Sequence, residues 1–136
     1  MTMTKDKTNF IVIDDSKLDC FIAEKIIQTS GKSETIKTFL QASEALDYIK
    51  DKSASPDDHT ILFVDIQMPV MNGFEFVEAF DSLPADRKSA YTIYMLSSSI
   101  NENDIAKVRS LAAVKQFINK PLTVDAVKQI FENQNV

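Results

Sequence analysis

The sequence predicts an α/β fold: a doubly wound, five-stranded parallel sheet in the order 2-1-3-4-5, with helices on both faces. Three observations carry that expectation. Four short runs, Phe10–Ile13, Ile61–Val64, Tyr91–Leu96 and Phe117–Ile118, are apolar without alternating, as strands covered on both faces must be. Segments of helical period separate the runs, and strict strand–helix alternation implies right-handed crossovers into a parallel sheet. Acids, hydroxyls and a lysine stand where the runs end, and open sheets of this kind bind ligands at that rim.

Met1–Asn9 is polar, carries Lys5 and Lys7, and lacks the apolar stretch that a signal peptide would need. It reads as a disordered lead-in, with one domain over 10–136. After the first strand, Ser16 is a good N-cap, and Leu18, Phe21, Ile22 and Ile26 make one helical face before Gly31 stops the helix. Thr35–Phe39 is more polar and partly alternating, which suits an edge strand. Ala42, Ala45, Leu46 and Ile49 repeat the helical pattern after Ser43 and before the loop at Pro56. Beyond the third strand, Phe74, Val77, Ala79 and Phe80 form a third helix that ends in the turn Asp81–Pro84. Ile105, Val108, Leu111 and Ala112 form a fourth, and Val124, Val127, Ile130 and Phe131 a fifth. These apolar helical faces are expected to be core. The second and fifth strands are the weakest and take the two edges, giving a flavodoxin-like (βα)5 topology whose chain reversal lies between strands one and three.

At 136 residues the chain is one domain's worth and long enough for a proper core. With 20 acidic and 15 basic residues, net −5, it lacks the basic surplus of a nucleic-acid groove or an anionic-membrane binder. One cysteine, Cys20, rules out an internal disulfide, and one histidine, His59, leaves no zinc site of ordinary ligand spacing. Two glycines, Gly31 and Gly73, are too few for a P-loop or a GxGxxG turn. No apolar run approaches a membrane span, and the cysteine usage points to the cytoplasm.

Strand one ends in Asp14 and Asp15 and strand three in Asp65, so the 2-1-3 order brings three carboxylates to one rim. Each close pair of like charges costs about 4 kcal/mol at an effective dielectric of 20. A divalent ion resolves the conflict, and all-oxygen ligation favours Mg2+, which exchanges its waters for phosphate oxygens. Strand four ends in Ser97–Ser99 and strand five in Lys120–Pro121, adding a hydroxyl and an ammonium. A carboxylate nucleophile, a metal, a hydroxyl donor and a lysine are what phosphoryl transfer onto an aspartate demands.

Together these motifs resemble the receiver domain of two-component response regulators, over about Phe10–Phe131. The likeness rests on Asp14–Asp15, on Asp65 followed by Met68–Pro69 and Asn72–Gly73, on Ser97, and on Lys120–Pro121, each at its strand end. The resemblance implies that Asp65 accepts a phosphoryl group from a histidine kinase or histidine phosphotransfer protein. It implies that Asp15, Asp65 and the backbone carbonyl of Gln67 bind Mg2+, with Asp14 acting through a water. Lys120 would pair first with Asp65 and then with a phosphoryl oxygen, Ser97 would swing in to hydrogen-bond that group, and Phe117 would follow it inward as the switch. A cis Lys120–Pro121 bond is also implied. The family more commonly carries threonine at position 97 and tyrosine at 117; Phe117 can pack but offers no hydroxyl. Gln67 and Ser99 would tune hydrolysis. An unknown downstream protein would dock on the fourth helix, fifth strand and fifth helix, roughly Asn101–Val136, and the chain is expected to work without an attached output domain.

Blander readings fit the motifs singly. Acids before a helix are favoured by its dipole, Asn72–Gly73 is an ordinary turn signal, and a lysine before proline often sits in a solvated loop. His59 reads as a loop residue at the rim opposite the acids, and Cys20 as a small packing residue. A haloacid-dehalogenase-type Mg2+-dependent phosphatase would need its second acid two residues after the first, where Ser16 stands. A flavodoxin-like FMN carrier would need a Ser/Thr/Gly phosphate loop in place of Asp-Asp-Ser-Lys-Leu-Asp. A receiver-like binding module that is never phosphorylated fits less well with a complete acid, serine and lysine set.

Overall fold

The computed structural model describes residues 8–51, 59–98 and 102–134. In chain order the elements are β1 (Thr8–Ile13), α1 (Lys17–Ser30), β2 (Ser33–Phe39), α2 (Ala42–Asp51), β3 (Thr60–Asp65), α3 (Gly73–Asp81), α4 (Ala85–Lys88), β4 (Tyr91–Ser97), α5 (Glu102–Arg109), β5 (Val114–Asn119) and α6 (Val124–Gln134). The five strands form one parallel sheet ordered β2-β1-β3-β4-β5. The expected topology and both expected edges are therefore present.

Alternate side chains of each inner strand enter two separate cores. Ile11, Ile13, Leu62, Val64, Ile93 and Met95 face α2, α3 and α5. Phe10, Val12, Ile61, Phe63, Tyr94 and Leu96 face α1 and α6. Every residue of β3 is buried, which is why its sequence does not alternate. Burying each such large apolar side chain contributes roughly 1.5–3 kcal/mol, and this central strand is what holds the rim acids level.

Local signals end the helices where expected. Ser16 Oγ accepts from Asp19 N at 3.1 Å and caps α1, and Gly31 closes that helix in the left-handed region at φ 74°. Asn72 and Glu75 form a reciprocal capping box at α3, with both hydrogen bonds at 2.9 Å.

Several expectations are corrected. Leu18, Phe21 and Ile22 are not core but are 67, 56 and 40% exposed. The buried stripe of α1 is Cys20, Ala23 and Ile27, whose two small members let the helix settle close to the sheet. α2 begins at Ala42, one residue before Ser43. The helix at 102 ends at Arg109, so Leu111 and Ala112 lie beyond it. α4 was not foreseen: four residues after Pro84 are too few to show a period. β1 starts at Thr8, so Thr8 and Asn9 belong to the sheet; residues 1–7 of the expected lead-in, and Pro56, lie outside the described residues.

Candidate phosphoacceptor site

Strand register assembles the rim. Ile13 pairs with Val64 and Asp65 with Leu96, so Asp14 and Asp65 stand side by side at the C-terminal ends of β1 and β3. Ser97 pairs with Asn119, and Lys120 N donates to Ser97 O at 2.9 Å, which brings the lysine to the same rim. The Lys120–Pro121 peptide is cis.

Asp14, Asp65 and Ser97 are buried and Asp15 is exposed. Asp14 Oδ1 accepts from Ser16 N at 3.0 Å and Oδ2 from Lys120 Nζ at 2.6 Å, so its two oxygens are held by different elements. Lys120 Nζ also donates to Asp19 Oδ2 at 2.9 Å and lies 3.6 Å from Asp65 Oδ1. The ammonium therefore forms an ion pair with Asp65 and makes shorter bonds to Asp14 and Asp19. Asp19 is the residue that sequence reasoning missed. Its only signal was an acid in the first turn of α1, which a helix N-terminus favours anyway.

Burial, reinforced by the Asp14 charge, pushes Asp65 from 3.8 up to about 6 despite Lys120 and a hydrogen bond from the Gln67 backbone. Burial also opposes the charge on Lys120, but its hydrogen bonds to Asp14 and Asp19 and the Asp65 charge outweigh that and hold the ammonium above its usual range. One carboxylate oxygen each from Asp14, Asp15 and Asp65 lie within 4.8 Å of one another. Three carboxylates at this spacing with one lysine leave negative charge uncompensated, and the donors are all oxygen. That set fits a small hard divalent cation such as Mg2+.

Gly73 packs directly against Asp65. A Cβ there would lie 2.6 Å from the Asp65 carbonyl oxygen and 2.8 Å from Met95 Cε, so only glycine lets α3 start this close. Between Asp65 and Gly73 the chain makes a γ-turn: Met71 N donates to Pro69 O at 2.8 Å, with Val70 at φ 70° and 98% exposed.

Phe117 is half-buried on β5 against the α5 side of the sheet, where it lines a cavity of about 510 Å3 with Ile105, Val108 and Arg109. Gln67 is exposed beside Asp65. Ser99, Asn101, Asn135 and Val136 lie outside the described residues. His59 precedes β3 at the opposite rim, its Nε2 2.7 Å from Thr92 Oγ1, and Cys20 is buried with Sγ 3.3 Å from the Asp14 carbonyl oxygen. No helix among the described residues is long and apolar enough to cross a membrane.

A five-stranded parallel sheet with an acid–lysine rim at its carboxyl ends defines a doubly wound α/β domain with its ligand site at the strand ends. The family model for the response regulator receiver domain matches residues 10–132, and the chain belongs to that family. It is similar in structure to a response regulator receiver protein from Dyadobacter fermentans, with a TM-score of 0.84 and 31% identity over 93% of this chain and 96% of that one. A two-component response regulator from Cytophaga hutchinsonii gives a TM-score of 0.86 at 26% identity, over 96% of this chain and 99% of that one. In sequence it is 26% identical to hybrid signal transduction histidine kinase L of Dictyostelium discoideum, over 90% of this chain but only 7% of that protein. Against two-component response regulator 24 of Arabidopsis thaliana the identity is 23%, over 98% of this chain and 88% of the relative.

Proposed function

We propose that this chain accepts a phosphoryl group on Asp65 from a histidine kinase or histidine phosphotransfer protein and thereby changes which partner it binds. The observation that carries the reading is Asp65 itself: a nearly buried carboxylate, crowded by Asp14 and Asp15, with the Lys120 ammonium 3.6 Å away. In this reading Asp15, Asp65 and the Gln67 carbonyl hold Mg2+, with Asp14 supporting them. When bound, the ion supplies positive charge to the equatorial oxygens of the transferring group.

The residues of the chain do the rest. Asp65 Oδ attacks phosphorus in line, the bond from phosphorus to the donor imidazole nitrogen breaks, and its electron pair stays on that nitrogen, which takes a proton and leaves as neutral imidazole. Lys120 pairs with a phosphoryl oxygen, Ser97 Oγ donates to another, and Phe117 packs inward behind it. The change is a population shift of an arrangement already sampled, read out by a downstream protein on the α5, β5 and α6 surface. The exposed Leu18, Phe21, Ile22 and Val70 stand around the same rim and suit an apolar phosphodonor contact. Catalysis is confined to the chain's own phosphorylation and dephosphorylation, with the cytoplasm as its working place.

The test is incubation with acetyl phosphate and Mg2+, followed by intact-mass measurement beside Asp65→Asn. The parent gains one phosphoryl group, with acetate leaving; the variant gains none, and EDTA suppresses the reaction. A gain that persists in Asp65→Asn refutes the assignment.

A further inference from the structure

Among the described residues, the bond between Asp19 and Lys120, residues 101 positions apart in sequence, is a rim contact that phosphoryl acceptance does not use. We propose that Asp19 is a positioning residue that tethers the Lys120 ammonium on the α1 side of the pocket and competes with the phosphoryl group for it. The inference rests on Asp65 being the acceptor.

Four observations support the tether. Asp19 N is tied to Ser16 Oγ in the first turn of α1, so the backbone that carries the carboxylate is pinned. An acid at this helix position commonly reaches back to the cap, yet Asp19 Oδ2 turns across the rim to Lys120 at 2.9 Å. The two shortest acid contacts of the ammonium are to Asp14 beyond β1 at 2.6 Å and to Asp19 in α1 at 2.9 Å, while Asp65 Oδ1 stays at 3.6 Å. The three groups also wall one cavity of about 260 Å3, between α1 and the β5–α6 connection, bounded by Asp14, Asp19, Ile22, Lys120 and Pro121. Lys120 thus lines that cavity and shares its charge among Asp14, Asp19 and Asp65, with Asp65 the most distant of the three.

For Lys120 to meet a group on Asp65 its charge must be shared out again. Asp14 lies among the acids that suit a cation, whereas Asp19 stands outside that set and contacts Lys120 at 2.9 Å. Asp19 therefore favours the resting arrangement over the phosphoryl-bound one. Removing its charge while keeping its size releases the ammonium toward Asp65.

Beryllofluoride, a noncovalent phosphoryl mimic, provides the probe, titrated at saturating Mg2+ into the parent, Asp19→Asn, Asp19→Ala and Asp19→Glu. Both neutral variants should bind it about fivefold more tightly, the size expected of a partly exposed ion pair, and Asp19→Glu should stay close to the parent. In 15N-lysine spectra without beryllofluoride, the Lys120 ammonium signal, identified by its loss in Lys120→Arg, should broaden through faster proton exchange in the neutral variants. Unchanged or weaker binding by neutral variants with parent-like circular dichroism overturns the tether, as does an unaltered ammonium signal. If the parent binds no beryllofluoride, the acceptor reading fails and the inference fails with it, an outcome distinct from a parent that binds and variants that match it.

Discussion

Replacing Asp65 by asparagine removes a charge that folding makes costly, and the structure sets the size of the effect. Burial and the Asp14 charge raise this carboxyl from 3.8 to about 6. At 1.36 kcal/mol per pKa unit, that gap is worth about 3 kcal/mol. Because the folded value lies above the unfolded one, folding favours the protonated acid. The stability contribution is therefore complete below about pH 4 and lost as the pH rises through about 6. At pH 7 without metal the parent bears the full cost of the ionised carboxylate, whereas asparagine bears none. The attraction of Lys120 at 3.6 Å is already contained in that net value and takes nothing further from it. Urea unfolding at pH 7 in EDTA should show Asp65→Asn more stable than the parent by about 1–3 kcal/mol, with the difference shrinking toward pH 4. Added Mg2+ should stabilise the parent by mass action and the variant much less. A variant less stable than the parent at pH 7 in EDTA, or a difference that ignores pH between 4 and 7, would refute the reasoning.

Gly73→Ala should destabilise by about 2 kcal/mol or more and slow acetyl phosphate labelling, because the new methyl group meets the carbonyl oxygen of Asp65 at 2.6 Å; denaturation and intact mass check both effects. Val70→Gly should raise stability by roughly 1 kcal/mol in thermal or urea melts, since a β-branched residue at φ 70° is strained and this one, 98% exposed, contributes no packing. Cys20 should resist a thiol reagent at pH 8 in the native protein and react promptly in urea, because it is buried and burial with the nearby Asp14 charge pushes its thiol up to about 11. The rate of Asp65 labelling by acetyl phosphate at limiting Mg2+ should rise as the pH passes about 6, because only the ionised carboxylate attacks.

Much of the fold is written in patterns of short range. A strand buried on both faces has to be apolar at nearly every position, so Ile61–Val64 and, with Thr92 as its one polar member, Tyr91–Leu96 announce a covered parallel sheet, and the polar Thr35–Phe39 announces an edge. Chemistry-bearing residues at strand ends announce the rim, because a parallel sheet collects all its strand ends on one side. Caps such as Ser16, Gly31 and Asn72 act through their immediate neighbours and are equally legible.

What the tertiary structure alone decided has a common physical cause: the deciding partner is remote in sequence. Periodicity in α1 allows either Leu18, Phe21 and Ile22 or Cys20, Ala23 and Ile27 to be the inner face. The sheet and α6 select the second because its small side chains permit closer approach. The γ-turn at Val70 is imposed on a residue with no intrinsic preference for it, where the chain runs from Asp65 to a helix start pressed against that same residue. Asp19 looked like any acid in a first helical turn until the fold carried Lys120 across from the last strand. Sequence thus determined which residues sit at strand ends, since that follows from local burial; which carboxylates share the one lysine was left to the packing of α1 against the sheet, since Coulomb attraction depends on distance in space and not along the chain.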